Sequence, residues 1–265
     1  MATAAMAWVK RAGGTLAGAL KSGGAPLFAA HALAIVAFVG YLVPVFGLGW
    51  SASSYRTCCL AVATAGAIKI YRRFGAPPLS GAGDWRVRLE ALATWAAPLQ
   101  MSTDFHYALL VLTLSSRVHR PLALALAPPV ILAAYHAAVY LASHPSVSGS
   151  GAWKAVGVPA YSAMRARQRD ALLFNASCEV GAGAQVLFRL ATGAASLWLV
   201  LAYGNFLRMR LGSPDASGLH VAVWSKVDVA LQPLLTRVPL LQRARDTVVA
   251  YAARLLPQSS RPHAQ

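Results

Sequence analysis

A stretch of 26 residues, Ala25 to Trp50, contains no Asp, Glu, Lys or Arg and consists mostly of Leu, Ile, Val, Phe and Ala. About 20 apolar residues of helix are enough to cross the hydrocarbon core of a bilayer. Tyr41 and Trp50 supply the aromatic rings that are typical of a membrane interface, and three bases precede the stretch within residues 10–21. The stretch is therefore predicted to be the first membrane segment.

Two other structures fit this stretch less well. A secretory signal peptide also has a basic start, but here 24 residues precede a run that is too long and lacks a small-residue cleavage site. A buried helix of a soluble protein conflicts with the composition, because 57% of the residues are hydrophobic and only 12% are charged. Soluble domains average about 25% charged residues. The composition therefore favours an integral membrane protein.

A second stretch, Pro121 to Ser143, gives 23 residues without a charged side chain. It is predicted to be another membrane segment. Pro128 and Pro129 lie in its middle and are expected to kink it, since proline cannot donate a backbone hydrogen bond.

Two weaker apolar stretches complete a pair of predicted hairpins. Residues 52–70 follow the first segment after a polar sequence, residues 51–56, which is interpreted as a turn. Residues 91–115 contain Asp104, which costs roughly 3 kcal/mol at a membrane centre, while large apolar neighbours return about 0.5 kcal/mol each. This stretch is expected to lie shallowly or against a partner helix. The hairpins would pair residues 25–47 with 52–70, and 91–115 with the second segment.

The last apolar region, residues 172–201, contains two charged residues, Glu179 and Arg189. Ten residues apart, these side chains cannot pair along one straight helix, where partners are three or four residues apart. A re-entrant or bent element is thus as compatible with the pattern as a clean crossing. Ionisable residues within membrane segments are functional candidates, which selects Glu179, Arg189, Asp104 and His106.

His31 and His136 could join Asp104 and His106 in a metal or proton site, but the sequence does not fix their distances. On a helix, the side chains of Asp104 and His106 would point about 160° apart, which is a poor geometry for a shared metal. A structural hydrogen-bonding role is favoured. The sequence predicts neither a metal nor a cofactor.

The 24 Lys and Arg residues outnumber the 8 Asp and Glu residues, which gives a net charge of +16. The bases are scattered between apolar runs without interleaved aromatic residues, so anionic lipids are favoured as partners over nucleic acid. With the predicted hairpins, 20 of the 24 bases fall on one side of the membrane, which the positive-inside rule identifies as cytosolic. Residues 171–203 must then enter and leave on one face, or the tail is luminal.

Beyond residue 204 the pattern predicts two amphipathic helices, one with apolar residues at helical spacing from Val223 to Leu234 and one from Leu240 to Leu256. Such helices are typical of membrane interfaces, and packing on the protein itself is the alternative. Lys226 and Arg243 are expected to attract anionic lipid. The apolar residues predicted to bind the membrane are Trp224, Val227, Leu231, Leu241, Val248 and Tyr251.

Catalytic motifs are absent from the sequence. It contains no HxxxxD, GxSxG, HExxH or Walker pattern, and eight acidic residues supply general acid-base or divalent-metal chemistry poorly. The chain is therefore predicted not to be an enzyme. A small transporter or channel component is the alternative function, although such a protein needs polar groups that meet near the membrane midplane, and few are present.

Six stretches share their order and spacing with one protein family. They are Ser53-Ser-Tyr-Arg-Thr-Cys-Cys-Leu60, Ala67-Ile-Lys-Ile-Tyr-Arg-Arg73, Asp104-Phe-His-Tyr-Ala-Leu-Leu110, His136-Ala-Ala-Val-Tyr140, Gln168-Arg-Asp-Ala-Leu-Leu-Phe-Asn-Ala-Ser-Cys-Glu179 and Phe206-Leu-Arg-Met-Arg210. Over about residues 26–257 the chain resembles the transmembrane protein 33 family, which includes the Krüppel homolog 2 proteins and yeast pore-membrane proteins. The residues before the resemblance have no evident counterpart in it.

The resemblance implies a multi-pass protein of the endoplasmic reticulum and nuclear envelope that affects nuclear pore distribution and tubule shape. It implies reticulon-type proteins and nucleoporins as partners, and no catalytic residue. The predicted fold class is all-α, a polytopic helical membrane protein with hydrophobic hairpins and C-terminal amphipathic helices. The predicted domains are a short basic segment (1–24), a helical membrane domain (25–203) and a basic cytosolic tail (204–265).

Overall fold

The computed structural model describes residues 24–43, 47–78, 85–116, 120–149, 151 and 153–237, with 242–243, 245–247, 249–250 and 254 beyond them. The regular structure of these residues is helical throughout, which confirms the predicted all-α class. A 3₁₀ turn spans Ala97–Met101 and a π-helical turn spans Trp153–Gly157. The ten described α-helices are α1 (Gly24–Leu42), α2 (Leu48–Phe74), α3 (Trp85–Ala96), α4 (Thr103–Leu114), α5 (Ala123–Ser143), α6 (Pro145–Ser148), α7 (Val158–Ala166), α8 (Gln168–Ala191), α9 (Leu197–Gly212) and α10 (Ser217–Leu235).

Side-chain contacts define one end of the helical bundle. His31, in the first half of α1, stacks on His136 of α5 with 5.1 Å between ring centroids. Lys69, near the end of α2, lies 3.0 Å from Asp104 at the start of α4. The start of α1, the end of α2, the start of α4 and the end of α5 therefore lie together.

The opposite end of the bundle is held by hydrogen bonds between α2, α5 and α8. The backbone N–H of Leu122, just before α5, donates to the hydroxyl of Tyr55 in α2 at 3.2 Å. Arg189, in the last turn of α8, donates to the carbonyls of Arg120 and Pro121 at 3.0 Å each. The long helices thus alternate in direction, and the end of α1, the starts of α2 and α5 and the end of α8 lie at this end, called the far end.

Positive charge is concentrated at the end where α1 begins, which is called the basic end. By the positive-inside rule this end is expected to face the cytosol. The far end carries the described bases Arg56, next to Tyr55, Arg120 and Arg189. The described bases at the basic end, or on the helices that begin there and extend from it, include Lys69, Arg72, Arg73, Arg86, Arg88, Lys154, Arg165, Arg167, Arg169, Lys226 and Arg237.

Among the described residues, α1, α5 and α8 are long and apolar enough to cross a membrane. The first two agree with the predicted first and second segments. Their outward side chains are large and apolar: Val36 of α1 and Phe188 of α8 are each 69% exposed. Contiguous apolar surface of this kind is rare in soluble proteins and suits contact with lipid.

The boundary between the first two helices differs from the prediction. The first segment was expected to continue to Trp50 and residues 51–56 to form a turn, but α1 ends at Leu42 and α2 already begins at Leu48. Serine and threonine can be absorbed into a helix when their hydroxyls bond to backbone carbonyls. Thr57 Oγ1 donates to the carbonyl of Ser53 within α2 at 3.0 Å, and Ser51 Oγ donates to the carbonyl of Tyr41 in α1 at 2.9 Å, which ties the start of α2 to the end of α1.

The last apolar region, residues 172–201, is neither one straight crossing nor bent at its charged residues, because it holds most of α8, a turn and the start of α9. Helix α8 runs without interruption from Gln168 to Ala191, and α9 follows after a turn in which Gly193 has a φ of 70°. That left-handed conformation favours glycine. The two charges within the region do not bend the helix because each finds its partners on other elements, as described below.

Small residues bring α2 and α4 together in the core. A Cβ atom added to Gly66 would lie 3.0 Å from the Cβ of Ala108, so the two backbones are in close contact. Cys58 and Cys59 of α2 are fully buried free thiols in the same hydrophobic core cluster as Val111 of α4. Short side chains at a helix interface allow such close approach within a membrane.

Candidate functional site

A buried carboxylate, Glu179 of α8, receives side chains from three other helices. Arg210 of α9 donates through Nε to Glu179 Oε2 at 3.0 Å, and His220 of α10 donates through Nε2 to the same oxygen at 2.7 Å. The hydroxyl of Tyr107, in α4, donates to Glu179 Oε1. These four residues are called the Glu179 cluster, and they join α4, α8, α9 and α10 at one point.

Arg210 has further partners that satisfy its guanidinium. Its Nη1 donates to Thr103 Oγ1 at 3.0 Å, its Nη2 lies 3.3 Å from Glu179 Oε1, and its Cζ lies 5.1 Å from the ring centroid of Tyr107. A buried ion pair is tolerated only when the remaining donors and acceptors are also engaged. The guanidinium meets that requirement by combining a bidentate carboxylate contact, a hydroxyl contact and an aromatic face.

Local sequence explains why these side chains reach one point. Arg210 lies in the last turn of α9, where the helix dipole favours a cation, and His220 lies in the first turn of α10. Tyr203, two turns before Arg210, donates to the backbone carbonyl of Glu179 at 2.9 Å. The turn between α9 and α10 is short, so the end of α9 and the start of α10 lie together beside α8.

The cluster is closed to solvent. Glu179 is 1% exposed, His220 is fully buried and Arg210 is 7% exposed. Both carboxylate oxygens are occupied by protein donors, so the arrangement holds four helices together and leaves no oxygen facing a cavity. Within the described part of the chain, His220 Nδ1 has no hydrogen-bond partner.

A second polar group lies nearer the basic end. Lys69 donates to Asp104 Oδ1 at 3.0 Å and to His136 Nε2 at 2.8 Å, while the ring of His31 stacks on that of His136. These four side chains line a cavity of about 30 Å³, room for roughly one or two water molecules. The structure thus brings together three of the four residues considered for a shared site, and adds Lys69.

His106 does not join that group. Its Nε2 lies 2.7 Å from the carbonyl of Gln100, and its side chain is fully buried on the other side of α4 from Asp104. This agrees with the expected divergence of Asp104 and His106. Among the described residues, no cluster of His, Cys, Asp and Glu is arranged to hold a metal ion.

The fourth predicted intramembrane residue, Arg189, lies at the far end. Its two hydrogen bonds to the carbonyls of Arg120 and Pro121 tie the end of α8 to the start of α5. The four predicted residues therefore occupy four separate places: Glu179 lies in the cluster, Asp104 beside Lys69, His106 against the carbonyl of Gln100, and Arg189 at the far end.

The predicted membrane-binding residues of α10 divide between two environments. Val223 is buried against Ala176 and Val180 of α8, and the partly buried Val227 packs against these apolar residues. Trp224 and Leu231 are 38% and 44% exposed, and Lys226 is also exposed. The helix therefore packs on the protein through one apolar stripe and leaves a second apolar stripe uncovered.

The second predicted tail helix is described only in part. Arg243 is exposed, whereas Leu241, Val248 and Tyr251 lie outside the described residues. Arg245 forms a bidentate contact with Asp228 of α10, with Nε–Oδ1 and Nη2–Oδ2 distances of 2.8 and 2.6 Å. These hydrogen bonds from Arg245 lower the pKa of the Asp228 carboxyl.

Sequence reasoning missed the partners of Glu179. Arg210 and His220 were assigned to a cytosolic tail beginning at residue 204, but that boundary falls inside α9, and both residues are buried. Their separations from Glu179 are 31 and 41 residues, so no local spacing connects them. The sequence signal for these partners is Glu179 itself, because an acidic residue in an apolar segment requires a buried partner.

The model of one protein family, described as Transmembrane protein 33/Nucleoporin POM33, matches residues 24–257. No curated protein and no solved structure matches the chain. The matched range includes all ten described helices and every residue of the Glu179 cluster.

Proposed function

Because the chain belongs to the Transmembrane protein 33/Nucleoporin POM33 family, we propose that it is a non-enzymatic membrane protein of the endoplasmic reticulum and nuclear envelope. Its role in this proposal is to shape or organise membrane, both in tubule morphology and in nuclear pore distribution. Reticulon-type proteins and nucleoporins are its proposed partners. The words Nucleoporin POM33 in the family name support nucleoporins.

The observation that carries this proposal is the uncovered apolar stripe of α10. Trp224 and Leu231 are seven residues apart, so they lie on one side of the helix, next to the stripe that packs on α8. The helix is fixed at its first turn by the contact between His220 and Glu179. A rigidly held helix with an uncovered apolar stripe and exposed bases is suited to enter the headgroup layer beside the bundle.

Helix lengths support an asymmetric effect on the two leaflets. Helix α4 has 12 residues and is about 18 Å long, so it falls short of the roughly 30 Å hydrocarbon core. It begins at the basic end and adds its volume to that half of the bundle. A larger protein volume in the cytosolic leaflet than in the luminal leaflet would favour a membrane that is convex on its cytosolic side.

Electrostatic attraction adds to insertion. A base near an anionic membrane surface contributes about 1 kcal/mol, and Lys226 and Arg237 of this region are exposed. A fully buried large apolar side chain contributes about 1.5–3 kcal/mol relative to water. Trp224 and Leu231 are only 38% and 44% exposed, so their insertion contributes a fraction of this value each and is comparable to the attraction by the two bases.

Replacing both Trp224 and Leu231 with glutamate is expected to abolish the preference of the protein for curved membrane. The measurement is the ratio of labelled protein on a narrow membrane tube to that on the giant vesicle from which the tube is pulled. The unmodified protein should be enriched on the tube, and the double variant should be distributed evenly, because two carboxylates do not insert into the apolar acyl region beneath the headgroups.

A matched control is the Ser225→Glu/Gln232→Glu double variant. These residues have the same spacing and are exposed on a different side of α10, so the added charge is identical while the apolar stripe stays intact. This variant should retain most of the enrichment. Equal enrichment of the unmodified protein and the Trp224/Leu231 variant would contradict the proposed mechanism.

The alternative function, transport or conduction, finds less support in the geometry. The charged side chains of the Glu179 cluster, and those of Lys69 and Asp104, are engaged by protein partners. Transport proteins place such groups so that a solute can reach them near the midplane. Membrane organisation is therefore the function that the geometry supports best.

A further inference from the structure

Helix α3 leaves an apolar face uncovered at the basic end of the bundle. None of its twelve residues is buried, and Trp85 and Leu89 are 65% and 53% exposed. Its end is anchored by Trp95, whose Nε1 donates to the carbonyl of Phe74 in the last turn of α2 at 3.2 Å. The helix is thus attached to the bundle at its end without being packed into it.

The residues of α3 separate into two faces. Trp85, Leu89, Leu92 and Ala96 recur at intervals of four, three and four residues, so they lie on one face. Arg86, Glu90 and Thr94 recur at intervals of four residues and form a polar face, at whose edge Val87 is 62% exposed. An amphipathic helix that no described part of the protein covers is more stable with its apolar face against lipid than in water.

The connections of α3 place it level with the lipid headgroups. The preceding helix α2 ends at Phe74 and the following helix α4 begins at Thr103, and both of these positions lie at the basic end. With 12 residues, α3 is about 18 Å long, which is too short to cross a bilayer. It therefore has to lie along the end of the bundle, where the membrane helices leave the hydrocarbon.

The charges around α3 suit an anionic lipid surface. Arg73 at the end of α2 and Arg86 and Arg88 of α3 are exposed bases, while Glu90 is the acidic residue of the helix. Trp85 and Trp95 are aromatic residues of the type that lies at membrane interfaces. A protein partner would require complementary acidic groups, whereas phosphate groups surround every membrane helix at this level.

We propose that α3 is an interfacial helix whose apolar face, with Trp85 and Leu89, inserts into the headgroup layer of the leaflet at the basic end and whose arginines contact anionic lipid phosphates. This surface is separate from α10, so the protein contacts the same leaflet at two places around the bundle. The inference does not depend on curvature sorting by α10.

The test compares a label on each face of α3 in proteoliposomes of phosphatidylcholine and phosphatidylserine. Leu89→Cys and Thr94→Cys each introduce an exposed thiol, whereas Cys58, Cys59 and Cys178 are buried and react poorly. A polarity-sensitive fluorophore on residue 89 should emit at shorter wavelength than on residue 94. Brominated lipid should quench the fluorophore on residue 89 several-fold more strongly than the fluorophore on residue 94. Aqueous iodide should quench the fluorophore on residue 89 several-fold more weakly.

Each other outcome overturns the proposal. Equal quenching of both labels by iodide would mean that α3 lies in water. Shielding of the label on residue 89 from both iodide and brominated lipid would mean that protein, such as a second copy of the chain, covers this face. Because no residue of α3 is buried, both variants should have the thermal unfolding midpoint of the unmodified protein, which checks that the fold is intact.

Discussion

Replacing Glu179 with alanine is expected to lower the free energy of unfolding by about 3–5 kcal/mol, the cost of removing one partner from a buried ion pair. The variant would leave the guanidinium of Arg210 buried without its carboxylate, and would remove the hydrogen-bond acceptor of Tyr107 and His220. The measurement is unfolding of the purified protein in detergent, followed by intrinsic fluorescence during heating and denaturant titration.

Glu90→Ala is the matched control for this variant. Glu90 is an exposed carboxylate on α3, and surface substitutions usually change stability by no more than about 0.5 kcal/mol. Combining Glu179→Leu with Arg210→Met should recover much of the loss, because removing both charges of a buried pair is far less costly than removing one. Unchanged stability of Glu179→Ala would show that the cluster does not hold the four helices together.

Phe206→Ala is expected to lower the free energy of unfolding by about 3 kcal/mol, the lower part of the range for buried phenylalanine. The ring is 1% exposed and lies 5.8 Å from the ring of Tyr107 and 5.5 Å from that of Tyr203, measured between centroids. Within a membrane the loss comes from missing packing contacts, since lipid does not expel apolar groups as water does. The same unfolding measurement in detergent tests it.

Phe188→Ala removes the same side chain from the outside of the bundle. Phe188 of α8 is 69% exposed and faces away from the core, so its removal should change stability by no more than about 0.5 kcal/mol. A similar loss in both variants would contradict the assignment of Phe206 to the core and Phe188 to the lipid-facing surface.

The membrane helices could be predicted where the sequence is uniform. The uncharged runs that form α1 and α5 are long enough to identify a span directly, because length and the absence of charge are the relevant physical properties. The end of the first span could not be placed, since Ser51 and Thr57 look like turn residues but bond to helical carbonyls. Local composition does not reveal where a hydroxyl will find its acceptor.

The candidate site was predicted only as isolated residues. Glu179 was recognised as a charge that needs a partner, but Arg210 and His220 become its partners only when α8, α9 and α10 are packed together. The same applies to Lys69, which joins Asp104 and His136 across 35 and 67 residues of sequence. Partners on different helices are a property of the tertiary fold, and sequence spacing along one helix cannot identify them.

The basic end of the bundle, with α3 and α10, is proposed to face the cytosol. The most direct test is protease digestion of a carboxy-terminal tag in intact microsomes, with a luminal protein as a control for membrane integrity. The tag should be digested while the luminal control is protected. Protection of the tag until detergent is added would place the tail in the lumen, and would contradict both the orientation and the proposed action on the cytosolic leaflet.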